Sequence, residues 1–340
     1  MAKTVLVTGG TGFLAGWCIV ELLKRGYEVR TTVRTPTKEA SVRKAVASVI
    51  DPGNALRFFI ADLTRDEGWD AAVAGCDYVL HVASPLGGDT PRDPNALIVP
   101  ARDGTLRVLR AACSVGVERV VITSSTAACS PPPASPDSVH DETMWTDPNA
   151  RGLVPYRQSK ILAERAAWDF MKTRSGRSTL TTVLPTAILG PVLSMENLGS
   201  VQLVSRMLSG KMPGTPNFGF NVVDVRDVAE VHIRAMTSPE AAGQRLIATS
   251  SYLWMAELAA ILRGALGERA SKVPTRPLPN IMLRLAAIFD PQLRQVTPNL
   301  GRKHTFVSTK TQRMLDWTPR PAADAVVDCA ESLLANGLNA

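Results

Sequence analysis

Cysteine, histidine and aromatic residues are scarce in this chain, and long uncharged runs are missing. Five cysteines, at 18, 76, 113, 129 and 329, are scattered through the 340 residues without a Cys-x-x-Cys pair. That excludes a disulfide scaffold and fits a reducing compartment, with most of the thiols acting as small hydrophobes in apolar stretches. Four lone histidines form no His-x-x-x-His or Cys/His cluster, so no metal site is expected. No dense Lys/Arg run with interleaved aromatics occurs, which argues against a nucleic-acid partner. No uncharged stretch reaches the ~20 residues of a membrane span. The N-terminus runs directly into a strand pattern rather than a basic and then apolar leader. The expectation is a cytoplasmic protein without a membrane segment. Its net charge of +7 gives at most weak steering of a polyanionic ligand.

What is present is an ordinary globular composition, 45% hydrophobic and 20% charged, with enough apolar material for a real core. Short β-rich runs at 4–8, 28–33, 57–61, 78–82, 119–123 and 180–184 alternate with helical patterns at 13–24, 38–50, 66–74, 95–115 and 157–174. Those strands are too uniformly apolar for one wet face. The expected fold is therefore α/β, a Rossmann-type doubly wound parallel sheet covered by helices on both sides. Beyond residue 185 prolines and glycines shorten the elements, and helices are expected near 198–209, 226–237, 255–265 and 322–335, with a strand at 246–249. The expected division is a nucleotide-binding domain of 1–184 plus about 222–250. A smaller mixed α/β C-terminal lobe for substrate takes about 185–221 and 251–340. Residues 130–155 read as a long irregular loop.

Gly9-x-x-Gly12-x-x-Ala15 lies between the first strand and the first helix, the context a dinucleotide fingerprint requires. Gly9 permits the tight turn, Gly12 the approach of a pyrophosphate, and Ala15 close helix–strand packing. Gly9, Thr11, Gly12, Phe13 and Leu14 are the expected phosphate contacts, where the helix N-terminus presents N–H groups and a positive dipole end. The second strand ends Thr32-Val33-Arg34, with no carboxylate for a ribose 2′-hydroxyl. The planar fork of Arg34 suits a 2′-phosphate, so NADPH/NADP is expected over NADH. Lys38 either assists or is a solvated helix-start lysine. Asp62-Leu63 is placed for the adenine end, with a helix-capping aspartate the competing reading. Val82, Ala83 and Ser84 form the expected floor under the nicotinamide ribose.

Tyr156 and Lys160, at i and i+4, share a helix face. An ammonium one turn away is expected to lower the phenol pKa and ready it for proton transfer to a substrate oxygen.

Together the fingerprint, Asp62-Leu63, His81-Val82-Ala83-Ser84-Pro85, Thr123-Ser124-Ser125, Tyr156-x-x-x-Lys160 and Val223-Asp224-Val225-Arg226-Asp227-Val228-Ala229 resemble the extended short-chain dehydrogenase/reductases. Thr31–Arg34 and the Pro185-to-Pro191 stretch are similar to the branch of dihydroflavonol reductases, cinnamoyl-CoA reductases and microbial NADPH-dependent carbonyl reductases. The resemblance implies Ser125 as the carbonyl-binding serine, with Ser124 as fallback. It further implies Tyr156 as general acid, Lys160 as the residue that tunes it and binds the nicotinamide ribose, and Pro185 through Ile188 beside the nicotinamide. Ser130 stands where plant dihydroflavonol reductases carry Asn or Asp, and the Asn-Trp-Tyr-Cys-Tyr signature of cinnamoyl-CoA reductases is absent. Both departures favour a small aldehyde or ketone. Leu86, Met144, Trp145, Leu153, Leu189, Met195, Phe218 and Phe220 are the substrate-lining candidates, each with core or loop packing as the alternative. The competing functions are an epimerase/dehydratase or steroid alcohol dehydrogenase of the same superfamily, and a non-catalytic NADPH sensor. The expected assembly is a monomer or homodimer.

Overall fold

The computed structural model describes residues 2–85 and 93–338. Strands β1 (Thr4–Val7), β2 (Glu28–Val33), β3 (Leu56–Ile60), β4 (Tyr78–His81) and β5 (Arg119–Thr123) alternate with helices α1 (Phe13–Lys24), α2 (Glu39–Ala47), α3 (Trp69–Val73), α4 (Asn95–Ser114) and α5 (Pro155–Lys172). With Thr179–Pro185 and Arg245–Ala248 they form one seven-stranded sheet, every pairing parallel. Its order runs Arg245–Ala248, Thr179–Pro185, β5, β4, β1, β2, β3. Successive strands therefore step outward in opposite directions from the β1–β4 boundary. That boundary is the topological switch point, outside whose carboxyl ends ligands bind in open α/β sheets.

The sheet is buried on both faces, as its strands' apolar character requires. Val5 and Val7 of β1 join α1 and the helix Val225–Thr237 in one core. Leu6, between them, points the other way into a core shared with Trp69, Leu109 and Ala167. Helix α1 stops where Gly26 takes φ +76°, a left-handed turn that lets the Tyr27 N–H reach back to Leu22 O at 3.2 Å. Helix α5 starts on Pro155, whose missing N–H costs nothing in the first turn.

The second lobe centres on a three-stranded sheet in which Gly219–Asp224 pairs antiparallel with Tyr252–Trp254 and parallel with Ala187–Leu189. Helices Gln202–Leu208, Met255–Leu266 and Ala322–Ala335 close its core around Leu189, Leu258, Val326 and Leu333. Two features depart from the sequence reading. Residues 251–340 are not confined to this lobe: the helix Thr309–Leu315 leads Leu315 and Trp317 back into the core of the first domain. The 130–155 stretch is not wholly irregular either. Its Ser138–His140 pairs in parallel with His304–Phe306, a partner 166 residues away that local pattern does not disclose.

Candidate active site

The turn after β1 is a cradle that side chains would fill. Gly9 holds φ +75°, and a Cβ there would lie 2.9 Å from Ala83 Cβ. A Cβ on Gly10 would lie 2.5 Å from Thr31 Oγ1, so this glycine is as constrained as the two in the fingerprint. Gly12 caps α1, its N–H closing the turn on Gly9 O at 2.9 Å. No side chain caps this helix start, so its first N–H groups are open to an anion. Ala15 is fully buried, as close helix–strand contact demands, and Leu14 is buried beside it. Phe13 packs partly against both cores, and Thr11 O accepts from Asn197 Nδ2 at 3.2 Å.

Residues after β4 are tied to the same turn through Thr8, which the sequence did not single out. Thr8 Oγ1 accepts from the N–H groups of Val82 (3.1 Å) and Ala83 (3.0 Å). Its own proton therefore goes to His81 Nδ1, 2.9 Å away. Burial first, and then the nearby Lys160 charge, push the His81 pKa down to about 3, leaving the ring neutral. His81 Nε2 must then carry the proton and donate to Thr105 Oγ1 at 3.3 Å, which in turn donates to Ala101 O. This chain fixes Val82 and Ala83 against Gly9, and Ser84 follows, partly buried.

Arg34 is exposed and has no hydrogen-bond or ion-pair partner among the described residues. Asp62 Oδ1 accepts from Thr64 N–H and Oγ1 at 2.8 and 2.7 Å; the backbone bond from Thr64 is the main cause holding its carboxyl below the usual range, with Arg34 a lesser one. Asp62 therefore forms a turn after β3 rather than a helix cap. Leu63 packs where a Cβ on Gly104 would fall, 2.7 Å from its own Cβ. Lys38, by contrast, is engaged: its Nζ donates to Glu196 Oε2 at 2.8 Å.

Across the cleft, the Ser125 hydroxyl lies beside that of Tyr156, close enough to influence its acidity. Ser125 also caps the turn after β5, accepting from Ala127 N–H at 3.2 Å. Ser124, the fallback, is turned inward: it is buried and donates to Glu164 Oε2 at 2.6 Å. Lys160 is buried and donates to Thr123 O at 3.2 Å. Its pKa falls to about 8, chiefly because burial penalises the ammonium, with Glu164 opposing the fall.

The tyrosine corrects one expectation. Although 37% of Tyr156 is exposed, burial of its phenol raises the pKa above the ordinary tyrosine value, and only the neighbouring Ser125 hydroxyl opposes the rise. Lys160, bonded to the Thr123 carbonyl instead, does not lower it in the protein by itself.

Glu164, a further turn along α5, organises what lies behind the site. It accepts from Ser124, Trp168 Nε1 (3.3 Å), Thr182 Oγ1 (2.8 Å) and Arg245 Nε (2.8 Å). Arg245 stacks on Trp145, 3.7 Å from the ring centroid, with Arg165 also over that ring at 5.1 Å. Trp145 is thus engaged by two guanidiniums rather than being a free substrate wall. Met144 and Leu153 pack on the small cluster of Ala128, Cys129, Ile161, Leu184 and Ile247. Leu189 is fully buried in the second lobe, a core residue rather than a pocket residue. Phe218 and Phe220 pack on that core, rings 6.2 Å apart, while Met195 is exposed. Pro185 ends its strand beside Thr126, whose hydroxyl reaches Pro185 O at 3.4 Å, and Ile188 is partly buried near the first core. Leu86 lies outside the described residues.

A parallel doubly wound sheet, a glycine cradle at its switch point and a Ser–Tyr–Lys group across the cleft define an extended short-chain dehydrogenase/reductase. Residues 5–247 match the family described as NAD dependent epimerase/dehydratase, and the chain belongs to that family. It is 38% identical over 253 residues to a cinnamoyl-CoA reductase of Medicago truncatula, covering 73% of this chain and 76% of that one. It is also 34% identical over 297 residues to a ketoreductase of Aspergillus niger, covering 82% and 87%. Among solved structures it resembles Gre2 of Candida albicans in complex with NADPH, with a TM-score of 0.80, 26% identity and coverage of 98% and 99%. Among the described residues no helix is long and apolar enough to cross a membrane, and no cluster of three or more His, Cys, Asp or Glu residues is placed to hold a metal ion.

Proposed function

We propose that this protein reduces aldehydes or ketones to alcohols with NADPH. The observation that carries the reading is the Tyr156 phenol beside the Ser125 hydroxyl, with Lys160 buried one turn along the same helix, across the switch point from the glycine cradle. The cradle and the open start of α1 fit a pyrophosphate, and the unpartnered Arg34 fits a 2′-phosphate. Bound there, NADPH supplies the hydride. Tyr156, held protonated by its surroundings, donates a proton to the carbonyl oxygen, and the Ser125 hydroxyl donates a hydrogen bond to that oxygen as its charge grows. Lys160 orients the ribose and keeps a positive charge beneath the reacting groups. The likeness to a cinnamoyl-CoA reductase and to a ketoreductase supports carbonyl reduction as the class.

The substrate question is tested by following NADPH oxidation over simple aromatic aldehydes, aryl ketones, keto esters, a dihydroflavonol and a cinnamoyl-CoA thioester. Turnover of free aldehydes or ketones with little on the thioester is the expected result. Efficient turnover of the thioester alone would replace the proposed substrate class.

A further inference from the structure

The segment after Pro191 crosses from the second lobe to the glycine turn. Leu193, Ser194 and Glu196 line a cleft together with Gly10, Thr11 and Gly12. Asn197 Nδ2 ties the segment to Thr11 O of that turn at 3.2 Å, and Lys38 Nζ, from the turn after β2, donates to Glu196 Oε2 at 2.8 Å. A third, internal bond shapes it, the Glu196 N–H donating to Ser194 Oγ at 3.0 Å. Asn197 adopts φ 53°, a left-handed conformation that asparagine tolerates better than most residues. A carboxylate thus lines the cleft beside the glycine turn, and it occupies Lys38, the second cation after Arg34 that the sequence offers for a 2′-phosphate.

We propose that Glu196 is a specificity residue that limits the preference for NADPH over NADH by neutralising Lys38. The inference rests on the reading of this cleft as the NADPH site. NADPH must take Lys38 from Glu196, or forgo it and rely on Arg34 alone. NADH carries no 2′-phosphate and never competes for Lys38. The cofactor that breaks the pair also removes the bond that ties the segment to the turn after β2, leaving the Asn197 bond to the glycine turn. Lys38 and Glu196 side chains are 45% and 44% exposed, so the pair is weak and screened by salt. Its effect on selectivity is correspondingly about two- to fivefold.

The test is calorimetric titration of the full chain with adenosine 2′,5′-bisphosphate and with 5′-AMP, which differ by the 2′-phosphate. Wild type, Glu196→Gln, Lys38→Gln and the double variant are compared at low salt. The expected result is a bisphosphate-to-AMP affinity ratio raised about two- to fivefold by Glu196→Gln, with that gain lost in the Lys38→Gln background. An unchanged ratio in Glu196→Gln, or the same gain without Lys38, would overturn the role of Glu196. If wild type does not prefer the bisphosphate at all, the NADPH reading fails first and takes this inference with it.

Discussion

Tyr156 and Lys160 depart from their ordinary acidities in ways that spacing alone does not reveal. The i, i+4 interval reports proximity along a helix. It does not report that Lys160 spends a hydrogen bond on Thr123 O, or that both groups are desolvated. With the Tyr156 pKa raised and that of Lys160 lowered from 10.5 to about 8, the lysine loses its proton first as pH rises. Tyr156 stays protonated, as a donor must. Reduction, measured as kcat/KM for a carbonyl substrate, should be level below about pH 8 and decline above it as the lysine charge disappears. A rate still climbing at about pH 9 would show that Lys160 need not be charged. Arg34 is the other single residue with a sharp consequence. Arg34→Ala should raise KM for NADPH far more than for NADH, and equal effects on the two would remove it as the reader of the 2′-phosphate.

At the scale of elements, α5 carries more than the sequence disclosed. Tyr156, Lys160 and Glu164 recur at four-residue intervals down one face of α5, and the upper two were legible from that spacing. Its lowest member was not, because Thr182 and Arg245 reach Glu164 from two separate strands and Ser124 from the turn after β5. The Arg245–Glu164 pair is nearly dry, with side chains 8% and 1% exposed. Removing one partner strands the other charge in the interior, which costs about 3–5 kcal/mol. Arg245→Met should lower unfolding free energy by that order in denaturant titration, and a loss under about 1 kcal/mol would mean that the carboxylate finds water or a new partner. The main strands and the helices α1, α4 and α5 followed from periodicity and end signals to within a residue or two. The short strands of the second lobe did not, since three residues carry too little pattern and their pairing is non-local.

For the molecule as a whole, the parallel sheet order places two distant turns side by side and faces them with the Ser–Tyr–Lys group. Alternating strands and helices, with glycines after the first strand, were enough to anticipate that arrangement. The return of Leu315 and Trp317 to the first core was not, because it depends on packing against a helix far back in the chain, where Arg234 reaches Leu315 O across 81 residues. The most direct measurement is NADPH oxidation by wild type and Tyr156→Phe in parallel, with NADH alongside and NADPH binding measured separately. The account predicts turnover with NADPH exceeding that with NADH, and retained NADPH binding in Tyr156→Phe with turnover reduced by about 10²–10⁴-fold. Near-normal turnover in Tyr156→Phe would contradict it.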